Sequence, residues 1–227
     1  MDQNAQVIFS ILAASGWVKR LSSIRLTFDD GPGPSTAALL DVLHMAGYKA
    51  TFFLLGRNQE RNMSVVVRMI REGHAVGNHA YSHAKPGDLA DAMLEEELEA
   101  TDALIREAYR LAGCAAPTRI PVRLPYGIQE DDPRLPLLQK LGRKHVGWTA
   151  IIDDWRRPEP PVQRLVEDML RHIEDCVARG VDAVLCLHDS SHQCHERPAT
   201  VEAVRLLLAS PRCQALFDRD DTHGVCR

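Results

Sequence analysis

From Ile24 onward, short runs rich in β-branched and aromatic residues alternate with longer stretches of helical periodicity. Strands separated by helices pair in parallel through crossover connections, so the pattern specifies an α/β protein. The expected strands are residues 24–28, 50–55, 74–77, 120–123, 145–150 and 183–187. The expected helices cover 35–45, 64–71, 89–111, 135–141, 162–178 and 200–208, with Gly47 and Gly73 stopping the first two. Roughly six such units in one domain leave two architectures, a (β/α) barrel and an open doubly wound sheet, which periodicity does not separate.

The length of 227 residues suits one core rather than two. No stretch approaches the roughly 20 apolar residues of a membrane helix. A net charge of -4 provides no electrostatic footprint for a nucleic acid backbone. The apolar run over residues 7–14 follows Asp2 without any Lys or Arg, whereas a secretory signal opens with basic residues. Residues 1–20 are therefore expected to be an N-terminal extension and 21–227 the working domain, with the cytoplasm favoured over secretion or the cell envelope. The cysteines (Cys114, Cys176, Cys186, Cys194, Cys213 and Cys226) form no C-x-x-C pair, so free thiols are expected. A local Cys213 to Cys226 bridge is the alternative in an oxidising compartment. The acidic run Glu95, Glu96, Glu97 and Glu99 reads as a solvated helix face.

In α/β folds chemistry gathers where strands end. The first strand ends in Thr27-Phe28-Asp29-Asp30-Gly31-Pro32. Side chains alternate along a strand, so one carboxylate can ligate a metal while its neighbour takes a proton; on its own, Asp-Asp-Gly is more often a solvated turn. His79 and His83 lie four residues apart after a later strand. One helical turn would put both imidazoles on one face, a recurrent zinc arrangement that a carboxylate could complete. Ala80 stands where a zinc protease would carry Glu, so a base must come from elsewhere, and Asp29 is available. Arg123-Leu124-Pro125-Tyr126-Gly127 offers a fixed cation and a turn whose N–H groups could face a site. Asp154-Trp155 adds a carboxylate beside an aromatic surface, and Leu187-His188-Asp189 places a histidine where an apolar strand emerges, a good general acid if a carboxylate keeps it protonated.

The order and wording of these segments resemble the polysaccharide deacetylases, carbohydrate esterase family four, which include nodulation-factor chito-oligosaccharide deacetylases. The resemblance runs from about Ile24 to Leu208 and is carried by Thr27 to Pro32, Gly73 to His83, Arg123 to Gly127, Asp154-Trp155 and His188-Asp189. It implies a distorted (β/α) barrel of about seven strand–helix units. Closure of that barrel is left open, because the tail from Arg212 lacks the family's usual last strand. It also implies one divalent cation on Asp30, His79 and His83, expected to be Zn2+ with Co2+, Ni2+ or Mn2+ as alternatives. Asp29 would be the base, held by Arg123; His188 would be the acid, oriented by Asp154; and the Tyr126 N–H would meet the oxyanion. Tyr126, Trp155, Leu187 and Cys186 would contact substrate, with Trp155 and Leu187 walling a methyl pocket. His74 reads as structural.

Three positions depart from the family pattern. Ala80 replaces a hydroxyl residue, Ile151 replaces the first Asp of D-x-x-D-W, and Cys186 replaces Leu. None removes a ligand, base or acid. Cys186 makes the acyl pocket roomier, and the loop with His192, Cys194 and His195 is expected to be surface beside the groove rather than a soft metal site. The implied activity is hydrolysis of N-acetyl groups on N-acetylglucosamine glycans such as chitin oligosaccharides or peptidoglycan. The alternatives are an O-acetyl esterase of the xylan type and a metal-bearing glycan-binding protein without turnover. The expected partner is an acetylated oligo- or polysaccharide.

Overall fold

The computed structural model describes residues 24–215. The expected N-terminal extension, Cys226 and the tail beyond residue 215 lie outside the described residues. The strands are β1 (Ile24–Asp29), β2 (Thr51–Leu54), β3 (Ala75–Asn78), β4 (Ala150–Ile151) and β5 (Ala183–His188). They form a parallel sheet in the order β3-β2-β1-β5-β4. Around it lie α1 (Thr36–Met45), α2 (Gly56–Arg61), α3 (Met63–Arg71), α4 (Asp91–Ala112), α5 (Leu135–Lys140), α6 (Val162–Arg179), α7 (Pro198–Ala209) and α8 (Pro211–Gln214). No described helix is long and apolar enough to cross a membrane.

Strand alternation divides the sheet into two faces. Leu26, Phe28, Phe52, Leu54, Val76, Leu185 and Leu187 pack outward against α1, α3, α6 and α7 in the main core. Each such fully buried side chain contributes on the order of 1.5–3 kcal/mol. The opposite parity, Thr27, Asp29, Phe53, Cys186 and His188, faces the interior. A smaller cluster of Ala80, Leu94, Leu98, Val122, Leu124, Leu137 and Leu138 supports the loops on the far side of that interior.

Two expected strands are corrected. Residues 120–123 form no strand: only Val122 bridges, to Asn78 on one side and His145 on the other. Residues 145–150 contribute that bridge and the two-residue β4. Between β3 and β4 the sheet is therefore spanned by single bridges, giving a distorted barrel that is not closed. The fully buried Arg123 fills this gap, donating from Nε to Val146 O at 2.9 Å and from Nη2 to Gly147 O at 3.0 Å. Helix α2 was not expected, because its sequence Gly-Arg-Asn-Gln-Glu-Arg carries no apolar stripe. Cys176, Cys186, Cys194 and Cys213 are free thiols, which removes the Cys213 to Cys226 bridge; Cys114 is disulfide-bonded, correcting the expectation of free thiols throughout.

Candidate active site

The interior face opens into a cleft of about 540 Å3 at the C-terminal ends of the strands. The β1–β5 register sets Asp29 beside His188 and Thr27 beside Cys186, so parity alone turns these side chains the same way. Asp29 is buried and divides its oxygens. Oδ1 accepts from Arg123 Nη1 at 2.8 Å; Oδ2 accepts from the Cys186 thiol at 3.3 Å and lies 3.9 Å from His79 Nε2. Burial by itself would raise its pKa, but Arg123, then His79 and His188, outweigh burial and hold the carboxyl below the ordinary 3.8. Arg123 also donates to Thr27 Oγ1 at 2.7 Å, and its guanidinium lies 4.1 Å from the Phe53 ring centre. That ring has room because Gly77 faces it: a Cβ there would come within 2.7 Å of Phe53.

Just past β1 the backbone enters the left-handed region at Asp30 (φ 70°), which redirects the second carboxylate. Asp30 Oδ1 lies 3.5 Å from His79 Nε2 and 3.2 Å from His83 Nε2. One ligand atom from each of the three residues falls within 4.8 Å of the others. Asn58 fixes the turn by donating from Nδ2 to Asp30 O at 2.7 Å and to Ser191 O at 3.2 Å. At Gly31 an added Cβ would come within 2.4 Å of the Asp189 carboxylate, so only glycine fits. Asp189 itself is buried and accepts from the Thr36 hydroxyl; burial pushes its pKa up to about 7.

The two histidines do not share a helical turn, which corrects the sequence argument for their pairing. His79 directly follows β3, and His83 lies in a loop with Ala80 (φ 60°) and His83 (φ 65°) both left-handed. That loop is held from three sides. His79 Nδ1 donates to Arg123 O at 2.7 Å, which leaves Nε2 as the nitrogen free to ligate. Ala80 N donates to Asn78 Oδ1 at 2.8 Å, and the Glu97 carboxylate accepts from Tyr81 N and Ser82 N, each at 3.1 Å. Glu97 is thus a positioning residue, not part of a solvated face. Its exposed neighbours Glu96 and Glu99 do fit that reading. Burial lowers the His83 pKa to about 4 against the pull of Asp30, so its imidazole is neutral and free to ligate. Asp30 Oδ1 is buried with no hydrogen-bond partner. A stranded carboxylate oxygen facing two imidazole nitrogens suits a divalent cation of the zinc type.

Opposite Asp29, His188 Nδ1 bonds Asp154 Oδ1 at 2.8 Å. The fully buried Asp154 also accepts from His188 N at 2.8 Å and from Thr200 Oγ1 at 2.9 Å. Burial would lower the imidazole's pKa, but Asp154 more than offsets it and raises the value to about 9. Tyr126 (φ 64°) presents a main-chain N–H that meets no acceptor among the described residues, and its side chain lines the cleft. Trp155, Ile151 and Cys186 line it too. Leu187 does not: it is the odd residue between Cys186 and His188, so it points outward into the main core, which corrects its expected place in the methyl pocket. His192, from the loop beyond β5, stacks on His83 with ring centres 5.3 Å apart and also lines the cleft. His74 is buried, accepts from Ala50 N at 3.1 Å and is structural as expected.

Comparison with known proteins places the chain in a family. The polysaccharide deacetylase family model matches residues 19–146. A chitooligosaccharide deacetylase of Bradyrhizobium sp. (strain ANU 289) is 33% identical over 196 residues, spanning 85% of this chain and 82% of the relative. A peptidoglycan-N-acetylglucosamine deacetylase of Bacillus cereus is 36% identical over 137 residues, covering 60% of this chain and 47% of that protein. Among solved structures, a family 4 carbohydrate esterase from Streptomyces lividans in complex with acetate aligns with a TM-score of 0.68 at 26% identity, over 90% of this chain and 97% of its own. With a family model spanning more than half its length and relatives this similar across most of it, the chain belongs to the polysaccharide deacetylase family.

Proposed function

We propose that the protein is a metal-dependent hydrolase that removes acetyl groups from N-acetylglucosamine units of a chitin-like or peptidoglycan-like glycan. The observation that carries the proposal is the pairing, across neighbouring strands, of a charged Asp29 with a His188 raised to about 9. That is a base and an acid lining the same cleft. Asp30, His79 and His83 would hold the cation, which when bound supplies Lewis acidity toward water and the acetamide oxygen. Asp29 Oδ2 takes the proton of the attacking water while Arg123 keeps Oδ1 in place. The free N–H of Tyr126 donates to the oxygen that becomes negatively charged, a contribution of about 3–4 kcal/mol in comparable oxyanion sites. His188 then gives its Nε2 proton to the departing amine and is left as a neutral imidazole, still held through Nδ1 by Asp154.

The strongly held imidazolium favours the amide over the ester reading. An amine leaves only when protonated, whereas an alkoxide depends less on an acid. Relatives named for chitooligosaccharides and for peptidoglycan N-acetylglucosamine point the same way. Acetate release by zinc-loaded protein from chitin oligomers, peptidoglycan and acetylxylan tests the proposal. N-acetylated substrates should be turned over, and Asp29→Asn should lower kcat by about 10²–10⁴-fold. Unchanged turnover in that variant removes Asp29 from the base role, and acetate from acetylxylan alone moves the function to the esterase.

A further inference from the structure

We propose that Asp29, Cys186 and His188 form a second cation site, separate from Asp30, His79 and His83, that takes a thiophilic divalent ion such as cadmium or excess zinc and blocks the reaction when filled. One ligand atom from each of the three lies within 4.8 Å of the other two. The β1–β5 register generates this convergence, because Asp29 sits opposite His188 and Cys186 lies two residues before His188 on the same face. Cys186 Sγ and Asp29 Oδ2 are already 3.3 Å apart. Tetrahedral zinc with its sulfur at about 2.3 Å and its oxygen at about 2.0–2.2 Å needs nearly that separation. Asp29 and Cys186 are buried, yet both line the cleft and so lie on the path of an entering ion.

The partners of these ligands leave the needed atoms available. Asp29 Oδ1 is engaged by Arg123 and His188 Nδ1 by Asp154, so the ion would take Oδ2, freed when the Cys186 thiol loses its proton to solvent, and Nε2, freed when the imidazolium loses its own. A carboxylate behind a histidine is the usual outer support of a metal-ligating imidazole. The donor set also separates the two sites chemically. The Asp30 triad offers only nitrogen and oxygen, whereas Cys186 adds sulfur, which selects soft ions and gives up its proton on coordination. An ion held there would occupy the carboxylate oxygen and the imidazole nitrogen assigned above to the base and the acid. Only this inhibitory consequence rests on the proposed function; the binding does not.

Zinc-loaded protein titrated with cadmium provides the test, read by the ultraviolet charge-transfer absorption of a cadmium–thiolate bond and by the metal content retained after gel filtration. One further equivalent of cadmium with thiolate absorption is expected. Both Cys186→Ser and Cys186→Ala should lose it, Cys194→Ser should keep it, and Asp154→Asn should weaken it by about 10–100-fold. No thiolate absorption in the parent protein, or absorption that survives both Cys186 substitutions, overturns the site. In the acetate assay cadmium should inhibit the parent and not Cys186→Ser, and equal inhibition of both overturns the blocking role. If no acetylated glycan is turned over, the deacetylase reading fails while the absorption still decides whether the ion binds.

Discussion

Asp29 and Asp30 are adjacent in the chain and have opposite environments. The first has each oxygen hydrogen-bonded, to Arg123 and to Cys186, while the second has a buried Oδ1 that makes no hydrogen bond among the described residues. A pH profile follows from the ionisations. The proposed reaction needs Asp29 charged and His188 protonated; Asp29 is held below 3.8 and His188 is raised to about 9. The rate should therefore stay high across neutral pH and fall as pH rises through about 9. In Asp154→Asn the largest force that raises His188 is gone, leaving Asp30 and Asp29 to oppose burial, so the alkaline limb should move to lower pH. kcat measured against pH for both proteins checks this, and an unmoved limb would mean that another group is the acid. Cys186 was legible in the sequence as a departure from the family, but its bond to Asp29 was not, because that contact spans two distant strands. Period-two alternation by itself puts Leu187 on the face opposite Cys186 and His188, in the main core and outside the methyl pocket that the family resemblance implies.

Among the elements, the long helix α4 does more than cover the sheet. Leu94 and Leu98 seat it in the smaller core, and one turn of the same face brings Glu97 to the histidine loop. An acidic run looks alike in sequence whether it faces water or a loop; only the packing of Leu94 and Leu98 selects the one glutamate that turns inward. Glu97→Ala should loosen His83 and weaken cation binding by about 10–100-fold, as loss of a supporting partner does in other metal sites. Competition with a coloured chelator measures this. Undiminished affinity would leave Asn78 and Arg123 as the sufficient supports of the loop. A four-residue histidine interval suits one helical turn, yet here left-handed Ala80 and His83 produce the convergence. Such conformations are costly, and the hydrogen bonds from Asn78 and Glu97 hold them.

Across the whole molecule, the parallel sheet transmits stability to the site, because the same strands carry the main core outward and the reacting groups inward. Phe52→Ala, at a fully buried outward position, should cost about 3–5 kcal/mol, read as a lower urea midpoint with unchanged slope. A cation bound only by the folded state should add about 2.7 kcal/mol at a hundred times its Kd. Chelation should thus lower Tm in the parent and leave Asp30→Asn unaffected; an equal drop in both would mean that the ion binds elsewhere. The sequence by itself determined the α/β class and the succession of strands and helices along the chain, and it offered Asp29, Asp30, His79, His83, Arg123, Asp154 and His188 as candidates that the resemblance to the deacetylases drew together. Periodicity and residue chemistry are local properties, readable one segment at a time. The tertiary structure alone decided that Val122 bridges without forming a strand, that Arg123 fills the unclosed gap, that Glu97 anchors the histidine loop and that Cys186 meets Asp29. Each of these depends on register and packing between segments far apart in the chain, where the deciding contact belongs to the neighbour and not to the residue itself.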